Sequence, residues 1–171
     1  MEDRIPQVNL RALEPEDLEL LYRIENDTTL WDCSTTNVPY SRYVLHQYIA
    51  SACNDIYADG EVRMIVENAD GNVVGVADLT NFSPRHQRAE VGVVILAQER
   101  RNGYAYATLC QLKSHARNVL HLHQLYACVG IHNKASYHLF EKAGFLPNAQ
   151  LKDWLFVDGG YCDAVWMQCI L

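Results

Sequence analysis

Apolar and polar positions alternate over QVNLRAL, residues 7–13, which predicts a first strand. The spacing then becomes helical. In EPEDLELLYRIEND, residues 14–27, Leu18, Leu21, Tyr22 and Ile24 give an apolar face. Pro15 sits near the start, and acids occupy the first turn, where the helix dipole favours them. TTLWDCSTTNVPY, residues 28–40, reads as a loop. SRYVLHQYIASACND predicts a second helix over 41–55, with Ser41 as its N-cap.

The centre of the chain reads as a meander. VRMIVE (62–67) and NVVGVADLTNF (72–82) flank a hairpin turn in which Asp70 and Gly71 are expected at the left-handed positions. SPRHQR is a loop, and AEVGVVIL (89–96) is apolar enough at its end to predict a buried strand. Alternating units follow. A helix over 100–120 is entered through Gly103, QLYACVGI (124–131) is a strand, and NKASYHLFEKAGF (133–145) is a helix closed by Gly144 in a left-handed cap. The close, residues 149–171, predicts two strands around Asp158-Gly159-Gly160. The order β-α-α-β-β-β-α-β-α-β-β predicts one domain over residues 1–171, of α+β or α/β class with a mixed sheet.

Charge and cysteine usage narrow the partners. The net charge of −7 argues against a nucleic-acid or anionic-membrane surface and tolerates a cationic ligand. Six cysteines show no CxxC spacing, and no His/Cys cluster has zinc-ligand spacing, so no metal is expected. The start MEDRIPQVNL is polar, and no apolar run approaches the roughly 20 residues that span a bilayer. These features predict a reduced, cytoplasmic protein whose cysteines serve mostly as small hydrophobes.

ILAQERRNGYAYATL combines a strand end, a polar turn, a glycine and a helix start. Outward-pointing N–H groups and the dipole of such a helix suit a phosphate. Arg100 and Arg101 add positive charge, Gly103 permits close backbone approach, and Ala105 keeps the first turn uncrowded. The segment alone reads equally well as an ordinary strand-to-helix turn. However, Arg100-x-x-Gly103-x-Ala105 resembles the Arg/Gln-x-x-Gly-x-Gly/Ala signature of the GNAT superfamily of acetyl-CoA-dependent N-acetyltransferases. Asn133, Ser136, Phe140, Gly144 and Phe145 resemble that superfamily's second landmark, Asn-x-x-Ala/Ser-x-x-x-Tyr-x-x-x-Gly-Phe, with Phe140 in the tyrosine position. LRALEPEDLELLYRIEND, GVADLTNFSPRHQRAEVGVVI and LFVDGGYCDAVWMQCIL are similar to segments of its spermidine and ribosomal-protein N-acetyltransferase branch.

The resemblance implies a mixed, mostly antiparallel sheet of about seven strands with about four helices, splayed between the strands at 89–96 and 124–131. It implies acetyl-CoA as co-substrate, with Arg100, Arg101, Asn102, Gly103, Tyr104 and Ala105 around the pyrophosphate. Val93 and Ile95 would line the pantetheine gap and Val93 would lend a backbone N–H to the thioester carbonyl; Asn133, Ser136 and Phe140 complete that side. An amine of pKa about 10.4 arrives protonated and needs a base. Glu90 is the candidate, matching the family segment RAE; its alternative is an edge-of-strand glutamate paired with Arg85 or Arg88. Asp78 and Asn81 are candidates to bind a cationic head group, and Trp31, Tyr40 and Trp154 to wall the acceptor channel. Phe140 has no hydroxyl to protonate the leaving thiolate. Tyr137, about 60° away on the same helix, is the candidate acid; Cys128, Tyr104 and water are alternatives. Three functions are compatible with these features: N-acetylation of a polyamine, N-terminal acetylation of a (ribosomal) protein, and non-catalytic acyl-CoA binding. A homodimer or larger homo-oligomer is implied by the relatives.

Overall fold

The computed structural model of the protein describes residues 5–33 and 38–171, without the side chains of residues 32 and 33. The four-residue start MEDR and residues 34–37 of the predicted loop lie outside the described residues. The strands are β1 (Val8–Ala12), β2 (Val62–Asn68), β3 (Val73–Ser83), β4 (Arg88–Ile95), β5 (Gln124–Gly130), β6 (Leu146–Val157) and β7 (Gly160–Ile170). The helices are α1 (Leu18–Glu25), α2 (Arg42–Ser51), α3 (Ile56–Asp59), α4 (Tyr104–Asn118) and α5 (Lys134–Lys142).

One sheet runs β1-β2-β3-β4-β5-β7-β6. Every neighbouring pair is antiparallel except β4 and β5, which are parallel. Alternation of side chains across the pleat divides the interior in two. One face carries Val66, Leu79, Ala89, Val91, Leu125, Val129 and Met167 against Leu109 and Leu112 of α4 and Phe140 of α5. The other carries Ile65 and Val76 against Leu20, Leu21 and Ile24 of α1 and Leu45 and Ile49 of α2. Each fully buried leucine of this kind stabilises the fold by about 1.5–3 kcal/mol. Beyond the second core, the same face of the sheet turns polar, at Arg63, Asp78, Glu90 and Tyr126.

Several predicted boundaries shift for local reasons. The first helical segment begins as a 3-10 turn over Pro15–Asp17, in which Asp17 accepts from the Glu14 N–H at 2.8 Å. The second helix ends at Ser51 rather than running to residue 55. Asn54 takes φ 55°, breaking the helix, and the Asp55 carboxylate accepts from the Tyr57 N–H at 2.9 Å to start the unforeseen α3. Ser41 caps α2 as expected, accepting from the Val44 N–H at 3.2 Å. At the β2–β3 turn only Gly71 has positive φ; Asp70 does not share it. The turn instead closes through the Asn68 side chain, which accepts from the N–H groups of Asp70 and Asn72 at 3.0 Å each.

The parallel pair fixes where a ligand enters. β4 and β5 pair only at Arg88–Gln124, Ala89–Leu125 and Glu90–Tyr126. Past that point β4 continues on β3 and β5 continues on β7, so the two strands diverge toward their C-terminal ends. This is the expected splay.

Candidate active site

The splay opens toward the start of α4 on one side and the polar face of the sheet on the other. At the first of these, Ile95 ends β4, a 3-10 turn spans Ala97–Glu99, and Arg101 and Gly103 take φ 66° and 82°. Only a chain that tolerates left-handed backbone turns this sharply into a helix. Gly103 is the N-cap of α4 and offers no side-chain cap to the first-turn amides. Those amides and the dipole of a 15-residue helix face outward beside exposed Arg101, Asn102 and Gly103. Arg100 donates from Nε to the Ile95 carbonyl at 3.1 Å, tying the turn to the strand end. Tyr104 and Val93 pack partly buried against the larger core at the same place, and Ile95 is buried.

Asn133 and Ser136 are brought together at the start of α5. The Asn133 side-chain Oδ1 accepts from the Ser136 N–H at 3.1 Å, which makes the landmark a helix cap. Phe140 is a core residue, 7 % exposed, with its ring edge-to-face against Phe145 at 5.0 Å. Tyr137 lies on the same helix, partly buried against the same cluster, and its ring meets His138 at 5.8 Å. The second core-facing aromatic is thus the only one of the pair with a hydroxyl.

Glu90 stands at the last paired position before the splay, opposite Thr80 on β3 and Tyr126 on β5. Its Oε2 accepts from Asn81 Nδ2 at 2.7 Å. A one-residue bulge in β3 between Thr80 and Ser83, with Asn81 at φ 49°, aims that amide across the strand. The expected alternative of Glu90 pairing with Arg85 or Arg88 does not appear among the described ion pairs. Tyr126, stacked on Trp166 at 4.7 Å, has its hydroxyl pKa raised by burial and by the Glu90 charge. Burial and then Glu90 push the Cys128 thiol up as well, opposed by the Trp154 side chain.

Asp78 lies elsewhere than a free head-group site. Arg63 donates from Nε to Asp78 Oδ1 at 2.7 Å and from Nη2 to Oδ2 at 3.2 Å, and it also pairs with Glu25 at the end of α1. Burial opposes the Arg63 charge, but the two carboxylates outweigh it and hold its pKa above the ordinary value. Two carboxylates around one guanidinium leave one formal negative charge at this point. Gly92 faces Asp78, its missing Cβ leaving the carboxylate uncovered on that side.

The aromatic candidates separate. Trp31 donates from Nε1 to the Glu25 carbonyl at 3.0 Å, in a 3-10 segment, Thr28–Cys33, that packs against β6. Tyr40 is held by Asn26, which accepts from its N–H at 2.8 Å and donates to its carbonyl at 3.1 Å. Trp154 is 56 % exposed on β6. A concavity of about 230 Å³ lies along the same face, with Tyr48, Asp59, Glu61 and Arg63 in its wall. Sequence reasoning missed Arg63 and Glu25, which lie 15 and 53 residues from Asp78, and only the β2–β3 register reveals the first. It also missed the neighbourhood of Tyr126 and Glu90, which depends on the parallel pairing.

A cradle of helix amides beside a strand splay, with a carboxylate fixed on the opposite face, is the arrangement of an acyl-CoA-dependent acetyltransferase. The profile of the acetyltransferase (GNAT) domain matches residues 7–146, and the chain belongs to that family. It is similar to spermidine N(1)-acetyltransferase of Vibrio cholerae, 27% identical over 157 residues, covering 92% of this chain and 89% of the relative. The spermidine N(1)-acetyltransferase of Escherichia coli K12 is 29% identical over 166 residues, 95% of this chain and 85% of its own. YdaF of Bacillus subtilis, a ribosomal N-acetyltransferase by inference, is 28% identical over 163 residues, 93% and 88% of the two chains. Among solved structures, that of the Vibrio cholerae spermidine N-acetyltransferase with CoA and spermine superimposes with a TM-score of 0.85 at 27% identity, covering 96% of this chain and 95% of that one. The protein is an acetyl-CoA-dependent N-acetyltransferase.

Proposed function

We propose that the protein, one domain over its 171 residues, acetylates a primary amine of a small polycation, a polyamine such as spermidine, by direct attack within a ternary complex. The observation that carries this reading is the Glu90 carboxylate, oriented by Asn81 at 2.7 Å and set at the mouth of the splay. Glu90 takes a proton from the ammonium, directly or through one water. The freed lone pair forms a C–N bond at the thioester carbonyl, polarised by a backbone N–H near Val93, and the C–S bond breaks. Such a donor contributes about 2.7–4 kcal/mol to the transition state. The departing thiolate takes a proton from Tyr137, because Phe140 has none to give, and the second proton lost by the acylated nitrogen restores the Tyr137 hydroxyl.

Carboxylates at separated depths support a polycationic acceptor. Glu90 lies at the splay, the Asp78–Arg63–Glu25 group keeps one net negative charge, and Asp59 and Glu61 stand further out. Exposed aromatic surface on Trp154 adds a cation–π wall. The likeness to YdaF supports a second reading, in which a protein N-terminus is the acceptor. A third, acyl-CoA binding without transfer, rests on Phe140. We place the enzyme in the cytoplasm, where acetyl-CoA is made, as a homodimer or larger; the Vibrio cholerae relative is described as dodecameric. The test is acetyl transfer to a panel of polyamines, amino acids, aminoglycosides and N-terminal peptides. Spermidine should head the panel. Preference for peptides moves the acceptor to protein, and CoA binding without transfer to any member removes catalysis.

A further inference from the structure

Three separate segments meet at the end of the sheet where β4 and β5 begin. Gln87 closes the β3–β4 turn in left-handed backbone, φ 50°, and its carbonyl accepts from the N–H groups of His123 at 2.7 Å and Gln124 at 3.2 Å. The Ala116 carbonyl, near the end of α4, accepts from the Leu122 N–H at 2.9 Å. The Leu171 N–H, just past β7, donates to the His123 carbonyl at 2.9 Å. His121 turns the chain between α4 and β5 at φ 52°. These bonds join the β3–β4 turn, the α4–β5 turn and the end of β7 into one surface.

That surface is basic in a chain of net charge −7. It exposes Arg85, His86 and Arg88 from the first turn and Arg117, His121 and His123 from the second. Residues 83–89, 114–124 and 168–171 contain no Asp or Glu. Arg11, Arg42, Arg63 and Lys152 are each held by a carboxylate, but among the described residues Arg85, Arg88 and Arg117 form no ion pair. Acids on the adjoining strands are committed elsewhere: Glu90 accepts from Asn81, and Asp59 and Glu61 line the concavity beside Tyr48. Arg117 alone would be an ordinary complement to the C-terminal dipole of α4. Arg85 and Arg88 lie at no helix end, so that explanation does not reach them. His115 is not counted, because burial lowers its pKa. Apolar surface lies in the same segments, at Val119 and Ile170, 57 % and 61 % exposed.

We propose that this end of the sheet is a docking surface for an acidic segment of a partner protein, whose carboxylates meet Arg85, Arg88 and Arg117 and whose apolar side chains meet Val119 and Ile170. The planar fork of arginine donates to both oxygens of a carboxylate. Each exposed imidazole offers at least one N–H in either charge state. The apolar pair favours protein over nucleic acid, since a phosphate backbone makes no use of it. The negative charge of the rest of the chain also repels a long polyanion that runs past three arginines, whereas a short acidic segment ends where the surface ends. Docking here is independent of which amine is acetylated.

The test is fluorescence anisotropy of a short labelled peptide rich in glutamate and leucine, titrated with the full chain. The wild type should bind it, and less tightly as salt is raised. Replacing Arg85, Arg88 and Arg117 together by Gln should raise Kd about tenfold. Replacing Lys134 and Lys142 of α5 by Gln removes charge from another part of the surface and should leave Kd within about twofold. Val119→Ser with Ile170→Ser keeps every charge and should still weaken binding about threefold. Binding of CoA by each variant checks that it is folded. Failure of the wild type to bind the peptide would overturn the proposal, as would equal weakening by the α5 replacements, which would reduce the effect to overall charge. Tighter binding of a single-stranded RNA oligonucleotide than of the peptide would overturn the choice of partner. Because binding is read directly, none of these results depends on acetyl transfer.

Discussion

Asn81 donates from Nδ2 to Glu90 Oε2 at 2.7 Å, across a bulge in β3 that no regular strand pairing would bring about. The bond leaves one carboxylate oxygen for the incoming ammonium and holds it in one direction. Asn81→Gly, which tolerates the φ of 49°, should therefore keep Glu90 in place on β4 but let it rotate. We expect kcat to fall about tenfold, a modest part of the 10²–10⁴-fold range of a general base, with KM for acetyl-CoA unchanged. Steady-state kinetics with both substrates varied check this; an unaltered kcat removes Asn81 as the orienting group.

Arg63 binds both Asp78 and Glu25 in a mostly buried group, so the three side chains act together. Arg63→Ala leaves two carboxylates facing each other without a cation. Breaking such a group costs about 3–5 kcal/mol. Urea unfolding of Arg63→Ala should show that loss, and Asp78→Asn a smaller one. A loss of acceptor affinity in Asp78→Asn at unchanged stability would instead return Asp78 to direct ligand binding.

How much of this was readable beforehand depended on sequence distance. The α4 entry was legible because Arg100, Gly103 and Ala105 act within one turn of backbone. The Asn133–Ser136 cap was legible as a motif for the same reason: donor and acceptor are three residues apart. Asp78 reads from the sequence as a head-group candidate without its cation, because Arg63 sits on a different strand and only register sets them opposite. Asn81 and Glu90 were both singled out, yet for separate roles; their bond depends on a left-handed residue at a bulge. The short α3 was missed because Asn54 interrupts an otherwise continuous helical pattern.

Phe140 and Tyr137 make different predictions from neighbouring places on α5. Phe140 fills the core against Phe145, so Phe140→Ala should lower stability by about 3–5 kcal/mol in urea unfolding. Tyr137→Phe removes only the hydroxyl. Stability should stay within about 0.5–1.5 kcal/mol of wild type, while kcat falls about 10²-fold if Tyr137 supplies the thiolate's proton. Unchanged turnover eliminates Tyr137 as a required acid.

Cys128 reports on Glu90 without any substrate. Burial and the Glu90 charge raise the thiol pKa, so at neutral pH the group is a thiol, and its thiolate gathers only above the ordinary value of 9.0. Glu90→Gln removes one of the two raising influences. The pH profile of Cys128 alkylation should then shift to lower pH, and the rate at a fixed pH near 8 should rise. An identical profile in the two proteins places Glu90 too far from Cys128 to act at the splay.

The most direct measurement is acetyl transfer from acetyl-CoA to spermidine across pH, in wild type and in Glu90→Gln. The account predicts turnover by the wild type and a drop of about 10²–10⁴-fold in the variant at neutral pH. The drop should narrow as pH approaches the amine pKa of about 10.4, where the substrate no longer needs a base. A variant with the wild-type rate and pH profile would contradict the role of Glu90, and with it the central claim.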